Sequence, residues 1–477
     1  MRIPAIVAAG LVALAPMAVA GPAEPIPLPP QTAAARLAAY LKVDTSVSEP
    51  DAVARAAELL AGMLRQAGLA PARYVGPRGH TSLACRLAAD APRRGGTIVL
   101  LHHLDVVPAG EGWSTPPFGG IVRDDAIWGR GAVDAKGLGI AHLEAFLDAA
   151  RSGLPRTRDL LLLATADEES GGAEGVGWLL AAHPELFAGV EAVLNEGGLN
   201  RTGRERPLWF GIETAQKRPL WIELVARGRG GHASALAPAS PTHELVRALA
   251  RIVDRPARWR LEEPAGAALA AQARLDPGLA ATLARLPETL AAGAPERTLP
   301  PGVLGYLDDT LQVTTLEAAP SVNVIARQAR ARLDGRLLPA TDDRALLAEL
   351  AELAGPEVEL RVLLAAPPAA PSPTDTPAFR ALAAAVADEA PAIPAFISGA
   401  TDSRYFRERG IAAYGFSPFA LDGAVLAGIH GPDERMPIAE LSRGIERMKR
   451  VVRALVLADG PDRSDGARTD PGAVPPR

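Results

Sequence analysis

Thr97-Ile98-Val99-Leu100-Leu101-His102-His103-Leu104-Asp105 joins an unbroken apolar run to two histidines and an acid. The run is short and aliphatic, so it reads as a strand buried on both faces. The same pattern recurs twice. Residues 160–164 form a second apolar run, and Asp167-Glu168-Glu169 follows it. Residues 192–194 form a third, followed by Asn195-Glu196-Gly197-Gly198. Helical periodicity fills the intervals: residues 52–67, which stop at Gly68, then 137–150 and 174–182. Strands alternating with helices require an α/β fold, a mostly parallel sheet with helices on both faces. In such sheets, side chains from separate segments converge beyond the carboxyl ends of the strands. The histidines and acids stand at those ends.

Working outward, residues 378–389 are helical and 411–416 are strand-like, so the pattern returns near the end. The middle differs. Residues 220–226 alternate apolar and polar, as in a one-sided strand, and 311–316, 329–337 and 358–364 also read as strands. Helices are expected at 242–253 and 346–353. This describes an α+β two-layer domain at 215–366, inserted between a first catalytic part at 31–214 and a second at 367–458. An Ala- and Pro-rich, mostly helical stretch at 255–309 is a further insertion within it, with no readable role.

The 477 residues leave room for two or three domains, and 48% hydrophobic against 22% charged residues is a globular balance. A net charge of −5 offers no basic field, so nucleic acid is not an expected partner. The single cysteine, Cys85, excludes an intrachain disulfide and any Cys-based zinc or iron–sulfur site. A metal must then rest on His, Asp and Glu. At the N-terminus, Arg2 precedes an apolar stretch ending in Ala18-Val19-Ala20, the form of a signal peptide at 1–20. A Pro-rich linker at 21–30 follows, and 459–477 has the composition of a disordered tail. These features predict a secreted or periplasmic protein, cleaved near Ala20, with no membrane span in the mature chain.

Three adjacent acids after a buried strand need a compensating charge, and metal ions supply one. Asp105, Asp134 in Gly129-Arg130-Gly131-Ala132-Val133-Asp134, and His430 in Ile429-His430-Gly431 extend the donor set. Together the candidates suffice for two ions if one carboxylate bridges them. Imidazole plus carboxylate suits zinc, with cobalt or manganese as substitutes. Singly, each residue has an ordinary reading: Asp134 as a helix cap, 167–169 as a solvated helix start, 195–198 as a turn, His430 as a core histidine. The joint placement after apolar runs is what points to a site.

The segment His103-Leu104-Asp105-Val106-Val107-Pro108 resembles the first signature of the di-zinc aminoacylase/carboxypeptidase family. Acetylornithine deacetylases, succinyl-diaminopimelate desuccinylases and carboxypeptidase G2-like enzymes belong to it. Trp113-Ser114-Thr115-Pro116-Pro117-Phe118-Gly119-Gly120 and Ile127-Trp128-Gly129-Arg130-Gly131 are similar to its carboxypeptidase S branch, which includes secreted enzymes acting on N-fatty-acyl amino acids. The likeness spans about 31–456, with the insertion matching weakly. It implies a zinc-exopeptidase-like catalytic domain with a lid and dimerisation domain, two Zn2+ per subunit, and a homodimer. It further implies that His103 and Glu196 hold one ion, Glu169 and His430 the other, and that Asp134 bridges them. Asp105 would orient the His103 imidazole through its carboxylate. Glu168 would be the general base, passing a proton from water to the leaving amine.

In Gly228-Arg229-Gly230-Gly231-His232-Ala233-Ser234, the resemblance implies that His232 stabilises the oxyanion in the partner subunit's site. Asn323, in Ser321-Val322-Asn323-Val324-Ile325, is implied to contact substrate. Arg336, in Leu333-Asp334-Gly335-Arg336-Leu337-Leu338-Pro339, and Arg404, in Gly399-Ala400-Thr401-Asp402-Ser403-Arg404, are implied to clamp a substrate carboxylate. Three positions depart from the family pattern. Ala400 replaces a usual glycine. Ala135 follows Asp134 where an acid is common, at a bond expected to be cis. His102 stands where a small or apolar residue is usual, and is expected to pack. The expected activity is cleavage of an amide next to a free α-carboxylate, in an N-acyl amino acid or a short peptide. The competing reading is a catalytically silent binding protein on the same fold; the intact ligand set and Glu168 argue against it. No Gly-x-Ser-x-Gly elbow supports a metal-independent hydrolase.

Overall fold

A computed structural model describes residues 32–46, 50–198, 200–203, 206–235, 239–293 and 295–458. The expected signal peptide, linker and tail lie outside the described residues. The apolar run at 97–101 becomes the strand Thr97–His103, buried along its whole length. Leu160–Thr165 is equally buried. Thr97–His103 lies between Leu160–Thr165 and Val190–Asn195 and runs parallel to both. His103, the acidic loop after 165 and Glu196 therefore leave neighbouring strands at one end of the sheet.

Among the described residues the sheet has nine strands. Ala412–Gly415 pairs parallel to Val190–Asn195. Beyond it come Pro207–Gln216 and the outermost strand Ala392–Ile397, parallel to each other. At the opposite edge, Thr81–Leu87 and Ala72–Val75 are antiparallel. Alternate residues of each central strand feed two cores. Ile98, Leu100, Leu160 and Leu162 pack beneath the helices Lys136–Arg151 and Ile438–Val456. Val99, Leu101, Leu161 and Leu163 meet Leu179 and Phe406 on the other face.

A second sheet is antiparallel, in the order Thr310–Glu317, Gln328–Leu337, Arg218–Arg227, Val358–Ala365. One face carries Leu220, Ile222 and Leu224 against Leu245 and Leu350 of the helices Pro241–Val253 and Asp343–Ala354. The opposite face presents Trp221, Asp334 and Arg336. The helices Glu263–Ala273, Pro277–Ala284 and Leu286–Ala291 form their own core with Phe396 and Ala215, so they rest against the outer strands of the large sheet.

Two expectations change in detail. The helix expected at 378–389 ends early, as Pro377–Ala384. The stretch 174–182 divides into a wide turn, Ala173–Gly177, and a short helix, Trp178–Ala182. Pro207–Gln216 was not legible as a strand because a charge interrupts its apolar pattern. Glu213 is fully buried there, and Arg407 satisfies it from a distant segment, with Nη2 2.8 Å from Oε2.

Candidate metal centre

His103 is the last residue of its strand, so its ring emerges where the sheet ends. Its Nδ1 lies 2.8 Å from the backbone carbonyl of Asp105. With that nitrogen donating, the Nε2 lone pair is left to face outward, as a ligating histidine requires. Nε2 lies 3.0 Å from Asp134 Oδ1 and 3.5 Å from Glu196 Oε2. On the other side, His430 Nε2 lies 3.1 Å from Asp134 Oδ2 and 3.6 Å from Glu169 Oε1. Each oxygen of Asp134 thus meets a different histidine, and each histidine has a glutamate beside it. The Asp134–Ala135 peptide is cis.

Asp105 departs from expectation. Its carboxylate stands 3.9 Å from His103 Nδ1, and the backbone carbonyl of the same residue orients the ring instead. The carboxylate oxygens accept the amides of Glu168 at 3.2 Å and Glu169 at 3.0 Å. Those amides open a short helical turn, Glu168–Ser170, and have no partner within it, which draws the acid to them. Asp105 therefore holds the loop that carries both glutamates. Asp167, at φ 73°, bends that loop and caps the amide of Glu174 at 2.8 Å.

The side chains crowd negative charge. Burial pushes Glu196 up to about 7, with Asp134 and Glu169 adding to it against the pull of His103. Glu168 is raised well above the carboxylate range by burial and then by the charge of Glu196. Asp402, buried nearby, is pushed up to about 8 by burial. Burial opposes protonation of His103, but Glu196 and Asp134 outweigh it and hold the ring well above its ordinary value. His430 is raised to about 10 by its contacts with Asp134 and Glu169. Glu169 Oε1 is buried with no hydrogen-bond partner. Ligand atoms of His103, Glu168 and Glu196 lie within 4.8 Å of one another, as do those of His103, Asp134 and Glu169. An orphaned carboxylate oxygen, crowded acids and two histidine Nε2 atoms facing the same aspartate fit divalent cations held by imidazole and carboxylate.

Glu434 was not singled out from the sequence. It is fully buried and accepts the amides of Gly131, Val133 and Asp134 at 2.7–3.0 Å, besides Arg130 Nη1 at 2.7 Å. It fixes the loop that delivers Asp134. The only signal was its place four residues after His430, with no apolar run before it.

The cluster lines a cleft of about 260 Å³. Its remaining wall includes Trp221, Arg336 and Leu364 from the second sheet, and Ala400, Asp402 and Arg404 from the segment after 397. Arg404 is engaged within the protein: its guanidinium donates to the Gly171 carbonyl and lies 4.0 Å from the Tyr405 ring centroid. Two candidates lie elsewhere. His232 sits on a two-residue ribbon, Gly231–His232, paired with Val324–Ile325, and Asn323 precedes the latter. Both are exposed and bonded to neighbours, His232 Nδ1 to Ser234 Oγ at 2.8 Å and Asn323 Oδ1 to Ser321 Oγ at 2.7 Å. Among the described residues, neither lines the cleft. His102 packs in the core, its ring against Gly139, where a Cβ would fall 2.5 Å away.

Residues 99–454 match the model of peptidase family M20/M25/M40. Aminoacylase-1 of Pongo abelii is 27% identical over 426 residues, covering 87% of this chain and 93% of that protein. The N-fatty-acyl-amino acid synthase/hydrolase PM20D1 of Bos taurus is 29% identical over 364 residues, covering 71% of this chain and 70% of its own. Among solved structures, the M20 family metallo-carboxypeptidase Sso-CP2 from Sulfolobus solfataricus superposes with a TM-score of 0.68 at 20% identity, over 88% of this chain and 98% of that one. That likeness is one of fold.

Proposed function

The chain belongs to peptidase family M20/M25/M40, and on that premise we propose that it is a di-zinc hydrolase cleaving an amide bond next to a free α-carboxylate, as an N-acyl-amino-acid hydrolase or a carboxypeptidase. The observation that carries this reading is Asp134, whose two oxygens face His103 and His430 separately. His103, Asp134 and Glu196 would hold one zinc, and His430, Asp134 and Glu169 the other, with cobalt or manganese as substitutes. When bound, such ions polarise the scissile carbonyl and acidify water.

The chain's own residues do the rest. Glu168 takes a proton from the attacking water as its oxygen bonds to the carbonyl carbon. It then delivers that proton to the amine nitrogen as the C–N bond breaks, releasing a carboxylic acid and an amino acid. The environment that raises Glu168 suits a base that must also act as an acid. Asp105 keeps the Glu168–Glu169 turn in place through two amide bonds. Arg336 receives the substrate α-carboxylate. Arg404, tied to the catalytic loop, borders the same pocket. His232 of the partner subunit stabilises the oxyanion, with Asn323 beside it, in a homodimer built through residues 215–366. Catalytic parts 31–214 and 367–458 flank that domain. A signal peptide at 1–20 sends the protein outside the cytoplasm, and no described helix is long and apolar enough to cross a membrane.

The test is amino-acid release by the mature protein with added zinc. Short-chain N-acyl, long-chain N-acyl and dipeptide substrates form the panel, beside Glu168→Gln. Release from acyl substrates alone makes it an aminoacylase. Release mainly from dipeptides makes it a carboxypeptidase. No release from any substrate would support a silent binding protein, and release surviving Glu168→Gln would refute the assigned base.

A further inference from the structure

Arg336 projects from the strand Gln328–Leu337 on the face turned away from that sheet's helices, and it lines the cleft. Two residues earlier on the same face is Asp334, as period-two geometry dictates. The two are paired side-on: Nε donates to Oδ1 at 2.8 Å and Nη2 to Oδ2 at 2.9 Å. Directly across the antiparallel pair from Asp334 stands Trp221, whose Nε1 donates to the same Oδ1 at 3.0 Å. The Trp221 ring itself forms cleft wall and stands beside the loop at Gly171, where an added Cβ would lie 3.6 Å from its edge.

A guanidinium carries five N–H donors in one plane. Asp334 occupies the edge formed by Nε and Nη2. The end-on edge, formed by Nη1 and the second Nη2 hydrogen, has no other partner among the described residues. A carboxylate binds such an edge through two parallel bonds, but only if the plane is already turned toward it. A free arginine stem would lose several rotors on binding, and that loss weakens recognition.

We propose that Trp221 and Asp334 are positioning residues that fix the Arg336 plane so that its end-on edge receives the substrate α-carboxylate. This rests on the function proposed above, in which Arg336 is the carboxylate clamp. Trp221 anchors Asp334, Asp334 holds Arg336 side-on, and neither touches the carboxylate. The carboxylate of Asp334 also offsets the positive charge of Arg336, so the clamp selects by geometry more than by long-range attraction.

The experiment measures kcat and KM of the zinc-loaded enzyme for an N-acyl amino acid and for the same compound as its α-carboxamide. Wild type, Asp334→Asn, Trp221→Phe and Arg336→Lys are compared. The expected result is a KM for the acid raised roughly ten-fold in Asp334→Asn, the size of one charge-assisted hydrogen bond, with kcat within about two-fold. Trp221→Phe shifts KM in the same direction by less. In both variants the acid loses far more than the carboxamide, so the acid-over-carboxamide preference shrinks. A purely structural salt bridge would lower kcat/KM for both substrates equally, and that result overturns the proposal. An unchanged KM for the acid in both variants also overturns it while leaving the carboxylate clamp intact. If wild type does not prefer the acid, the function proposed for Arg336 fails and the positioning role falls with it. Should Asp334→Asn not fold, the KM and preference of Trp221→Phe decide alone.

Discussion

At the residue scale, the site is a set of charges that tolerate one another only in a fixed geometry. The role proposed for Glu168 is a proton relay, so Glu168→Gln is expected to lower kcat roughly 10²–10⁴-fold, the usual worth of general acid–base catalysis. Metal content, read by atomic emission on the same sample, is expected to stay unchanged. Glu434 is the converse case. It carries no chemistry, yet Arg130 and three amides depend on it. Glu434→Ala leaves a buried guanidinium unpaired, a change that costs ~3–5 kcal/mol. Thermal unfolding is expected to report that loss, together with reduced zinc stoichiometry as the Asp134 loop relaxes. His103, Glu168, Glu169 and Glu196 were legible because each follows an apolar run that ends at the same sheet edge. Glu434, Trp221 and Asp334 were not, because their roles exist only through partners about 300 and 113 positions away.

At the scale of elements, the loop from Asp167 to Gly172 is held at both ends. Asp105 takes the amides of Glu168 and Glu169, and Arg404 and Tyr405 donate to the carbonyl of Gly171. Gly172 sits at φ 69°, where a Cβ would lie 2.2 Å from Asp402 Oδ1. Gly172→Ala is expected to cost ~1–3 kcal/mol through overpacking, on top of ~1–2 kcal/mol for its positive φ, and to depress kcat by displacing Glu168. Gly68 is the control. It also has positive φ, at 77°, but nothing lies within 4 Å of a Cβ there. Gly68→Ala is expected to pay only the backbone cost of ~1–2 kcal/mol and to leave kcat alone. Steady-state kinetics beside unfolding curves separates the two. Long helices and central strands were readable to within a few residues because their periodicity is strong. Ala392–Ile397 and Thr81–Leu87 escaped notice since Pro394 and the mixed polarity of Thr81-Ser82 break the apolar pattern.

For the whole molecule, loading with metal is expected to be linked to folding. At a hundred-fold excess over Kd, each ion that binds only the folded state adds about 2.7 kcal/mol. Chelation should therefore lower Tm by several degrees, and zinc should restore it in a calorimetric scan. The trans role proposed for His232 makes a separate prediction. Co-expressing His232→Ala with Glu168→Gln, each inactive alone, should regenerate roughly a quarter of wild-type activity, because random pairing gives half heterodimers with one complete site each. No recovery would confine His232 to its own subunit. The cleft has a further consequence. Its acids and His430 come from the large sheet and the loops around it, whereas Trp221, Arg336 and Leu364 come from the second sheet. In the proposed function, the metal cluster and the Arg336 side of the substrate wall are thus written on separate stretches of chain. Descent could then rewrite the taste of such an enzyme while leaving its metal cluster untouched, and a library confined to residues 218–365 that spares His232 and Asn323 is the natural place to look for new diets.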